Sequence, residues 1–161
     1  MGEAARALRV KIGLVGESDL GELLPMLRSY CDFYEVAPSD EKLEALARAL
    51  IAAPEREGIQ LIARADDGEP LGFATVYWTW QTLTAARTGV MNDLFVQSAA
   101  RGQGVGRALI EESRKRAGEH GAPELVWETA PDNETSQRLY DSLAADKSPW
   151  IYYALPTDSP V

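Results

Sequence analysis

The sequence predicts an α/β domain in which helices flank a mixed central β-sheet. Three observations indicate this class. Stretches with the two-residue period of a strand alternate with amphipathic stretches of helical period. The turn "DDGE" joins two long strand-like stretches as in an antiparallel hairpin. A later strand–helix–strand succession requires parallel pairing. The predicted order is β-α-α-β-β-β-α-β-α-β, in a single domain over residues 1–156 with a C-terminal tail over 157–161.

The first half of the chain predicts a strand, two helices and a hairpin. "LRVKIGLV" has the alternation of a strand. A helix follows Asp19, because its apolar residues recur at helical spacing. A second helix begins near Ser39 and ends at Pro54, and its inward residues are expected to be Leu43, Leu46, Ala47 and Leu50. "IQLIARA" and "PLGFATVYWTW" form the hairpin strands.

The second half predicts the parallel part of the sheet. "RTGVMNDLFV" is a strand, and the helix that follows it extends to about His120, with Gly121 just beyond its end. "ELVWETA" is the next strand. Asp132 or Asn133 caps a helix that reaches about Ala145, and "WIYYAL" closes the chain as a strand.

Composition and charge restrict the function. One cysteine, Cys31, excludes internal disulfides and fits a reducing cytoplasm. With a single histidine besides, no His/Cys metal site is expected. The net charge of −9 opposes nucleic acid as a partner and would attract cationic ligands, although acidity also serves solubility alone. No apolar run approaches the roughly 20 residues of a membrane span, and the start lacks the apolar region of a signal peptide. We therefore expect a cytoplasmic protein with no membrane partner.

The stretch "ARGQGVGRAL" carries the first candidate site. Gly102, Gly104 and Gly106 precede a helix, and glycine is useful where the backbone bends sharply or approaches a ligand. The first amides of a helix have no intrahelical partners, and the helix dipole adds positive charge there, so this arrangement suits phosphate. It is not a Walker A loop, because Arg107 follows where lysine is required. It also lacks the spacing G-x-G-x-x-G. A purely structural turn is the alternative.

The stretch "NDLFVQSAARGQGVGRAL" resembles motif A of the GNAT superfamily of acetyl-CoA-dependent N-acetyltransferases. Its signature, Arg/Gln-x-x-Gly-x-Gly/Ala after a strand, is matched by Arg101, Gly104 and Gly106. The resemblance covers nearly the whole chain. It implies that main-chain amides from Gln103 to Arg107 hold the coenzyme A pyrophosphate, and that the backbone at Phe95 and Val96 pairs with the pantetheine arm. The cofactor-binding residues implied are Leu94, Phe95, Val96, Arg101, Gly102, Gln103, Gly104, Val105, Gly106, Arg107, Asn133 and Tyr140.

The stretch "LVWETAPDNETSQRLYDSL" resembles a later segment of the same family. The match places Glu128 on a strand, Asn133 at a helix start and Tyr140 on the helix. It implies that Asn133 anchors pantetheine and that Tyr140 protonates the departing thiolate. An amine with a pKa of about 10.4 must lose a proton before it attacks a thioester, and the resemblance implies Glu128 as the base. Asp93 is the second candidate, because Asn92 stands where polyamine-acetylating relatives often have glutamate.

Two of these residues also have simpler interpretations. Glu128 could be an ordinary outward-facing strand residue, and Asn133 an N-cap that does not exclude contact with the cofactor.

The expected function is acetyl transfer from acetyl-CoA to a primary amine, by direct attack in a ternary complex. The acidity favours a small cationic amine as the acceptor. The alternatives are a catalytically silent acyl-CoA-binding module and an acetyltransferase acting on protein N-termini. Because the family often dimerises, a homodimer is expected. Four aromatic residues either line an acceptor pocket or only pack: Tyr30, Tyr34, Trp78 and Trp80.

Overall fold

The computed structural model describes residues 9–159 of the 161-residue chain, and it confirms the α/β class with a five-stranded sheet and four helices. The elements are β1 (Lys11–Leu14), α1 (Leu20–Phe33), α2 (Asp40–Ala52), β2 (Gly58–Arg64), β3 (Pro70–Gln81), β4 (Ala86–Val96), α3 (Val105–Glu119), β5 (Leu125–Val126) and α4 (Glu134–Asp141). The chain forms two compact units, a first that ends at Glu128 and a second that begins at Thr129. None of the helices in the described range is long and apolar enough to cross a membrane.

The sheet has the order β1-β2-β3-β4-β5. The first three pairings are antiparallel, and β4 pairs with β5 in parallel across the α3 connection, as predicted. The β4–β5 pairing comprises Gly89 with Leu125 and Val90 with Val126. Because β5 ends there, the second half of β4 has a ladder partner in β3 and none in β5.

Helices α1 and α3 cover opposite faces of the sheet. Phe73 lies in a core cluster with residues of α1 and α2 such as Leu23 and Leu43. Trp78 stacks on His120, at the C-terminal end of α3, with ring centroids 4.2 Å apart. Phe73 and Trp78 are five residues apart on β3, and an odd separation along a strand places side chains on opposite faces. One face of β3 therefore packs against α1 and α2, and the other packs against α3.

Local signals placed the helix starts well. Ser39 caps α2, since its hydroxyl oxygen accepts a hydrogen bond from the Lys42 N–H at 3.3 Å. Leu43, Ala47 and Leu50 are buried as predicted, but Leu46 is 38% exposed. The first strand begins at Lys11, and Leu8 of its predicted stretch lies outside the described residues.

Three predictions about the last third of the chain are wrong. The strand predicted over "ELVWETA" is limited to Leu125–Val126, so Glu128 follows the strand rather than lying on it. Helix α4 ends at Asp141 rather than near Ala145, and Ala144 has a left-handed φ of 53°, which a continuing helix cannot contain.

The predicted closing strand "WIYYAL" is the third correction. Residues 150–155 have no strand pairing, and Trp150, Tyr153 and Leu155 are each more than four-fifths exposed. A strand forms only where a neighbour completes its backbone hydrogen bonds. The second unit, by itself, contains α4 and no strand within the range the structure describes. Within the described residues of the second unit, this segment therefore has no strand with which to pair.

Candidate active site

A β-bulge shapes β4 just before its end. Thr75 of β3 is opposite Asp93, whereas the next residue, Val76, is opposite Met91, so Asn92 is an additional residue in β4. A bulge bends its strand and redirects the side chains around it. The Asn92 side-chain amide donates a hydrogen bond to Oδ1 of Asp93 at 2.9 Å. The bulge thus determines the orientation of Asp93, one of the two predicted carboxylates.

The end of β4 offers backbone groups at an open edge. The N–H of Gln97 donates to the carbonyl oxygen of Leu71 at 2.8 Å, so Gln97 faces β3. Because backbone groups alternate in an antiparallel ladder, those of Val96 and Leu94 face the other way, beyond the end of β5. The oxygen of Phe95 faces β3, since it lies 2.3 Å from the position that a Cβ atom on Gly72 would occupy.

This orientation differs from the expectation for the pantetheine arm. The resemblance to the family implies that the arm pairs with the backbone at Phe95 and Val96. In the structure, the backbone groups of Leu94 and Val96 face the open edge. The carbonyl oxygen of Phe95 faces β3, and its ring contacts Phe73. The alternation of the ladder, rather than the motif, decides which residues are available.

The glycine loop continues from this edge and is connected to it by Arg101. Nε of Arg101 donates a hydrogen bond to the carbonyl oxygen of Val96 at 3.1 Å. Gly102 and Gly104 have φ values of 74° and 86°, in the left-handed region that other residues rarely adopt. The side-chain amide of Gln103 donates to the Ala99 carbonyl oxygen at 2.9 Å. The loop therefore has a defined backbone path.

The loop ends in the N-terminus of α3. Gly104 is its N-cap, and its carbonyl oxygen accepts the first helical hydrogen bond, from Ala108 N–H at 3.0 Å. Within residues 9–159, the backbone N–H groups from Gln103 to Gly106 donate to no other protein group. Such amides at a helix N-terminus form an anion site, because their partial positive charge adds to that of the helix dipole. The guanidinium groups of Arg101 and Arg107 add positive charge to this segment of the chain.

Asp93 lies in a phenolic environment on the α1 face of the sheet. Burial, the charge of Asp93 and the neighbouring Tyr34 raise the pKa of the Tyr30 hydroxyl well above its ordinary value. Burial and the charge of Asp93 raise the pKa of Tyr77 to about 12. Both phenols are therefore neutral hydrogen-bond donors at physiological pH. No pattern in the sequence pointed to Tyr77, because only the β3–β4 pairing brings it to Asp93.

The four ambiguous aromatic residues separate into two groups. Tyr30 contacts Tyr34, with ring centroids 5.0 Å apart, on the face that carries Asp93. Trp78 is buried on the opposite face, where its indole N–H donates to the Pro54 carbonyl oxygen at 2.7 Å. Trp80 shares the face of Trp78, and its exposed ring lies under the guanidinium of Arg87. Tyr30 and Tyr34 therefore belong with Asp93, whereas Trp78 packs.

The other predicted site residues lie at and beyond the end of the first unit. Glu128 is exposed and is the last residue of that unit. Asn133 is the N-cap of α4, where its side-chain oxygen accepts a hydrogen bond from Ser136 N–H at 3.2 Å. Tyr140 is half-buried in the last turn of α4. Asn133 thus has the N-cap role that its position before the helix predicts.

Comparison with known proteins identifies the family. The model of the acetyltransferase (GNAT) family matches residues 23–144, which include β4, the glycine loop and α4. The chain belongs to this family and is an acetyltransferase.

Individual relatives agree with that assignment. The chain is 30% identical over 139 residues to the uncharacterized N-acetyltransferase YhfO of Bacillus subtilis, covering 86% of this chain and 91% of that protein. It is 26% identical over 144 residues to the thialysine N-epsilon-acetyltransferase of Mus musculus, covering 80% and 79% respectively. The structure of the aminoglycoside N-acetyltransferase AAC(6')-Iy in complex with CoA has the same fold, with a TM-score of 0.82 at 18% identity over 95% of this chain and 98% of that one.

Proposed function

We propose that this protein transfers the acetyl group of acetyl-CoA to a primary amine by direct attack in a ternary complex. The observation that carries this proposal is the continuous run of backbone donors from the open edge of β4 to the start of α3. It comprises the edge residues Leu94 and Val96, the connecting hydrogen bond of Arg101, and the unpartnered amides from Gln103 to Gly106.

The residues present fit coenzyme A. An extended pantetheine arm has amide groups that can pair with Leu94 and Val96 as an added strand would. The pyrophosphate fits the amides at the start of α3 together with Gly102, Val105 and Arg107. When bound, acetyl-CoA supplies the thioester whose acetyl group is transferred. The Val96 N–H faces the open edge and can donate to the thioester carbonyl oxygen as negative charge develops on it.

Two carboxylates of the first unit can act on the acceptor. The attacking nitrogen must lose a proton as its bond to the acetyl carbon forms and the carbon–sulfur bond breaks. We assign the removal of this proton to Glu128, which is exposed and therefore accessible through water. Asp93 is the second candidate, and its two phenolic neighbours keep a polar surface around it. The resemblance to the family supports Glu128, whereas the surroundings of Asp93 support a role in binding the amine.

The assignments on α4 are supported by the match to the family. We propose that Tyr140 donates a proton to the departing sulfur, because its phenol is a donor at neutral pH. We propose that Asn133 binds the pantetheine region in addition to capping α4. A covalent acetyl-cysteine step through Cys31 is disfavoured, because Cys31 is buried and burial raises the pKa of its thiol.

The acceptor is proposed to be a small cationic amine. The chain has a net charge of −9, and relatives are named for thialysine and for aminoglycosides.

The single cysteine, free and buried, supports a cytoplasmic location. A homodimer is proposed from the resemblance to the family alone.

Calorimetry with acetyl-CoA, followed by CoA release from a panel of primary amines, tests this function. We expect acetyl-CoA to bind and at least one amine to release CoA. Binding without release by any amine would identify a silent acyl-CoA-binding module. No binding of acetyl-CoA would contradict the whole assignment.

A further inference from the structure

An exposed apolar patch surrounds the C-terminal end of α1. Phe33, Tyr34 and Val36, which we call the aromatic rim, are 62%, 50% and 51% exposed. The N–H groups of Tyr34 and Val36 both donate to the Cys31 carbonyl oxygen at 3.1 Å, and Glu35 between them has a left-handed φ of 56°. This turn ends the helix and leaves the three side chains at the surface. The rings of Phe33 and Tyr34 are in contact, and exposed aromatic side chains that lie together are typical of a binding surface.

A series of ring contacts connects the aromatic rim to β4. Phe33 contacts Tyr34 at 5.0 Å between centroids, and Tyr34 contacts Tyr30 at the same distance. Tyr30 contacts Phe73 at 5.9 Å, and Phe73 contacts Phe95 of β4 at 5.8 Å. The rings thus extend from the surface patch to the strand that carries the predicted thioester site.

Asp93 lies on the same face as this series. It is two residues from Phe95, and it is opposite Thr75, which is two residues from Phe73. It forms no ion pair among residues 9–159, and its hydrogen-bond partners there are the Asn92 amide and the Tyr30 hydroxyl. The cationic side chain nearest the rim in sequence, Arg28, already pairs with Asp40 and donates to the Pro38 carbonyl oxygen at 2.8 Å.

Asp93 is also the carboxylate that acts on this cluster. It is half-buried, and its charge contributes to the raised pKa of both Tyr30 and Tyr77. Asp32 precedes Phe33 and Glu35 lies between Tyr34 and Val36, and both are exposed to solvent, whereas Asp93 is half-buried. The site therefore combines one half-buried carboxylate with an exposed aromatic surface, and its other carboxylates are in contact with solvent.

We propose that the acceptor is a primary monoamine with an aromatic or other apolar body, whose ammonium group docks at Asp93 and whose body lies on the aromatic rim. This inference rests on the proposed function and specifies its acceptor. The half-buried Asp93 can pair with one ammonium group, whereas the exposed Asp32 and Glu35 would gain little from a second one. An apolar body removes the exposed rings of the rim from water. A diamine would place its second charge over the rim, where it must be partly desolvated beside apolar side chains.

A matched pair of amines tests the proposal. In 4-phenylbutylamine and 1,4-diaminobutane the reacting amine is on the same four-carbon chain, and the two differ in the group at the far end. We expect kcat/KM to be at least about tenfold higher for 4-phenylbutylamine. The double variant Phe33→Ala, Tyr34→Ala should raise KM for 4-phenylbutylamine about tenfold and leave the affinity for acetyl-CoA unchanged. Trp80→Ala, which removes an exposed ring on the other face, is the matched control and should change neither value.

The outcomes separate the two levels of the hypothesis. If no amine releases CoA, the proposed function fails. If amines release CoA but 1,4-diaminobutane is the equal or better substrate, the proposed function stands and the monoamine inference is overturned. The inference is also overturned if the rim variant lowers kcat/KM equally for both amines. Thermal unfolding of the rim variant, whose substitutions are at exposed positions, shows that its fold is retained.

Discussion

Nε of Arg101 donates a hydrogen bond to the carbonyl oxygen of Val96 at 3.1 Å, which joins the glycine loop to the last residue of β4. The two ends of the proposed coenzyme A site, the strand edge and the helix start, are therefore connected by a side chain and not only by the chain between them. The signature arginine thus has a role that does not require it to touch the pyrophosphate.

Replacing Arg101 with lysine tests this connection. Lysine keeps the positive charge but lacks the planar guanidinium whose Nε reaches Val96. We expect the Kd for acetyl-CoA, measured by calorimetry, to rise about tenfold because the loop is no longer held in one position. Arg114→Lys, at an exposed position on α3, is the control. An Arg101→Lys variant that binds as tightly as the unmodified protein would assign the arginine no positioning role.

Gly104→Val should abolish or greatly weaken acetyl-CoA binding. The physical reason is the backbone and not crowding by protein atoms, since nothing lies within 4 Å of the position a Cβ atom would occupy. The φ of 86° is strained for any L-residue with a side chain, at a cost of about 1–2 kcal/mol or more for a β-branched one. Gly118→Val is the matched control, because Gly118 is equally uncrowded and has no positive φ. Equal calorimetric affinities for the two variants would contradict this explanation.

The two carboxylates should give different kinetic signatures. If Glu128 is the base, Glu128→Gln lowers kcat roughly 10²-fold and removes the acidic limb of the pH–rate profile. Raising the pH should partly restore its rate, because more of the amine then arrives deprotonated. If Asp93 binds the ammonium, Asp93→Asn raises the acceptor KM with a smaller effect on kcat. A wild-type rate for Glu128→Gln at neutral pH would transfer the base role to Asp93 or to solvent.

Tyr140→Phe should lower kcat with little change in the affinity for acetyl-CoA. The phenyl ring preserves the packing of a half-buried side chain, and only the hydroxyl that donates to the departing sulfur is lost. Steady-state rates and calorimetry on the same variant separate the two quantities. Full activity in this variant would leave protonation of the thiolate to solvent.

The raised pKa of Tyr77 predicts a loss of stability in alkali. The unfolded chain releases the phenolic proton near pH 10, whereas the folded state holds it to about pH 12. The free energy of unfolding therefore falls as the pH rises through this interval, and the full contribution is present only below it. Urea unfolding on either side of pH 10 should show a smaller fall for Tyr77→Phe than for the unmodified protein. Tyr152→Phe, at an exposed position of the second unit, should not reduce the fall.

Local chemistry in the sequence predicted much of this structure. A capping hydroxyl at Ser39 determines the start of α2, because it bonds within the same turn. The alternating glycines predict a sharply bent backbone before α3, and Gly102 and Gly104 have left-handed φ values there, because the conformational freedom of glycine needs no distant partner. The same stretch, matched to motif A, led to the family that the comparisons confirm.

Only the tertiary structure decided which neighbours these elements have. The two-residue period of "WIYYAL" is that of a strand, but a strand requires another strand to complete its hydrogen bonds, and that requirement is absent from the local pattern. The β3–β4 pairing brings Asp93 to Tyr77, and the packing of α1 on the sheet brings it to Tyr30; both residues are far from it along the chain. On the opposite face, the packing of α3 against the sheet gives Trp78 its neighbour His120. Periodicity shows which residues share a face, whereas pairing and packing between distant segments determine what that face meets.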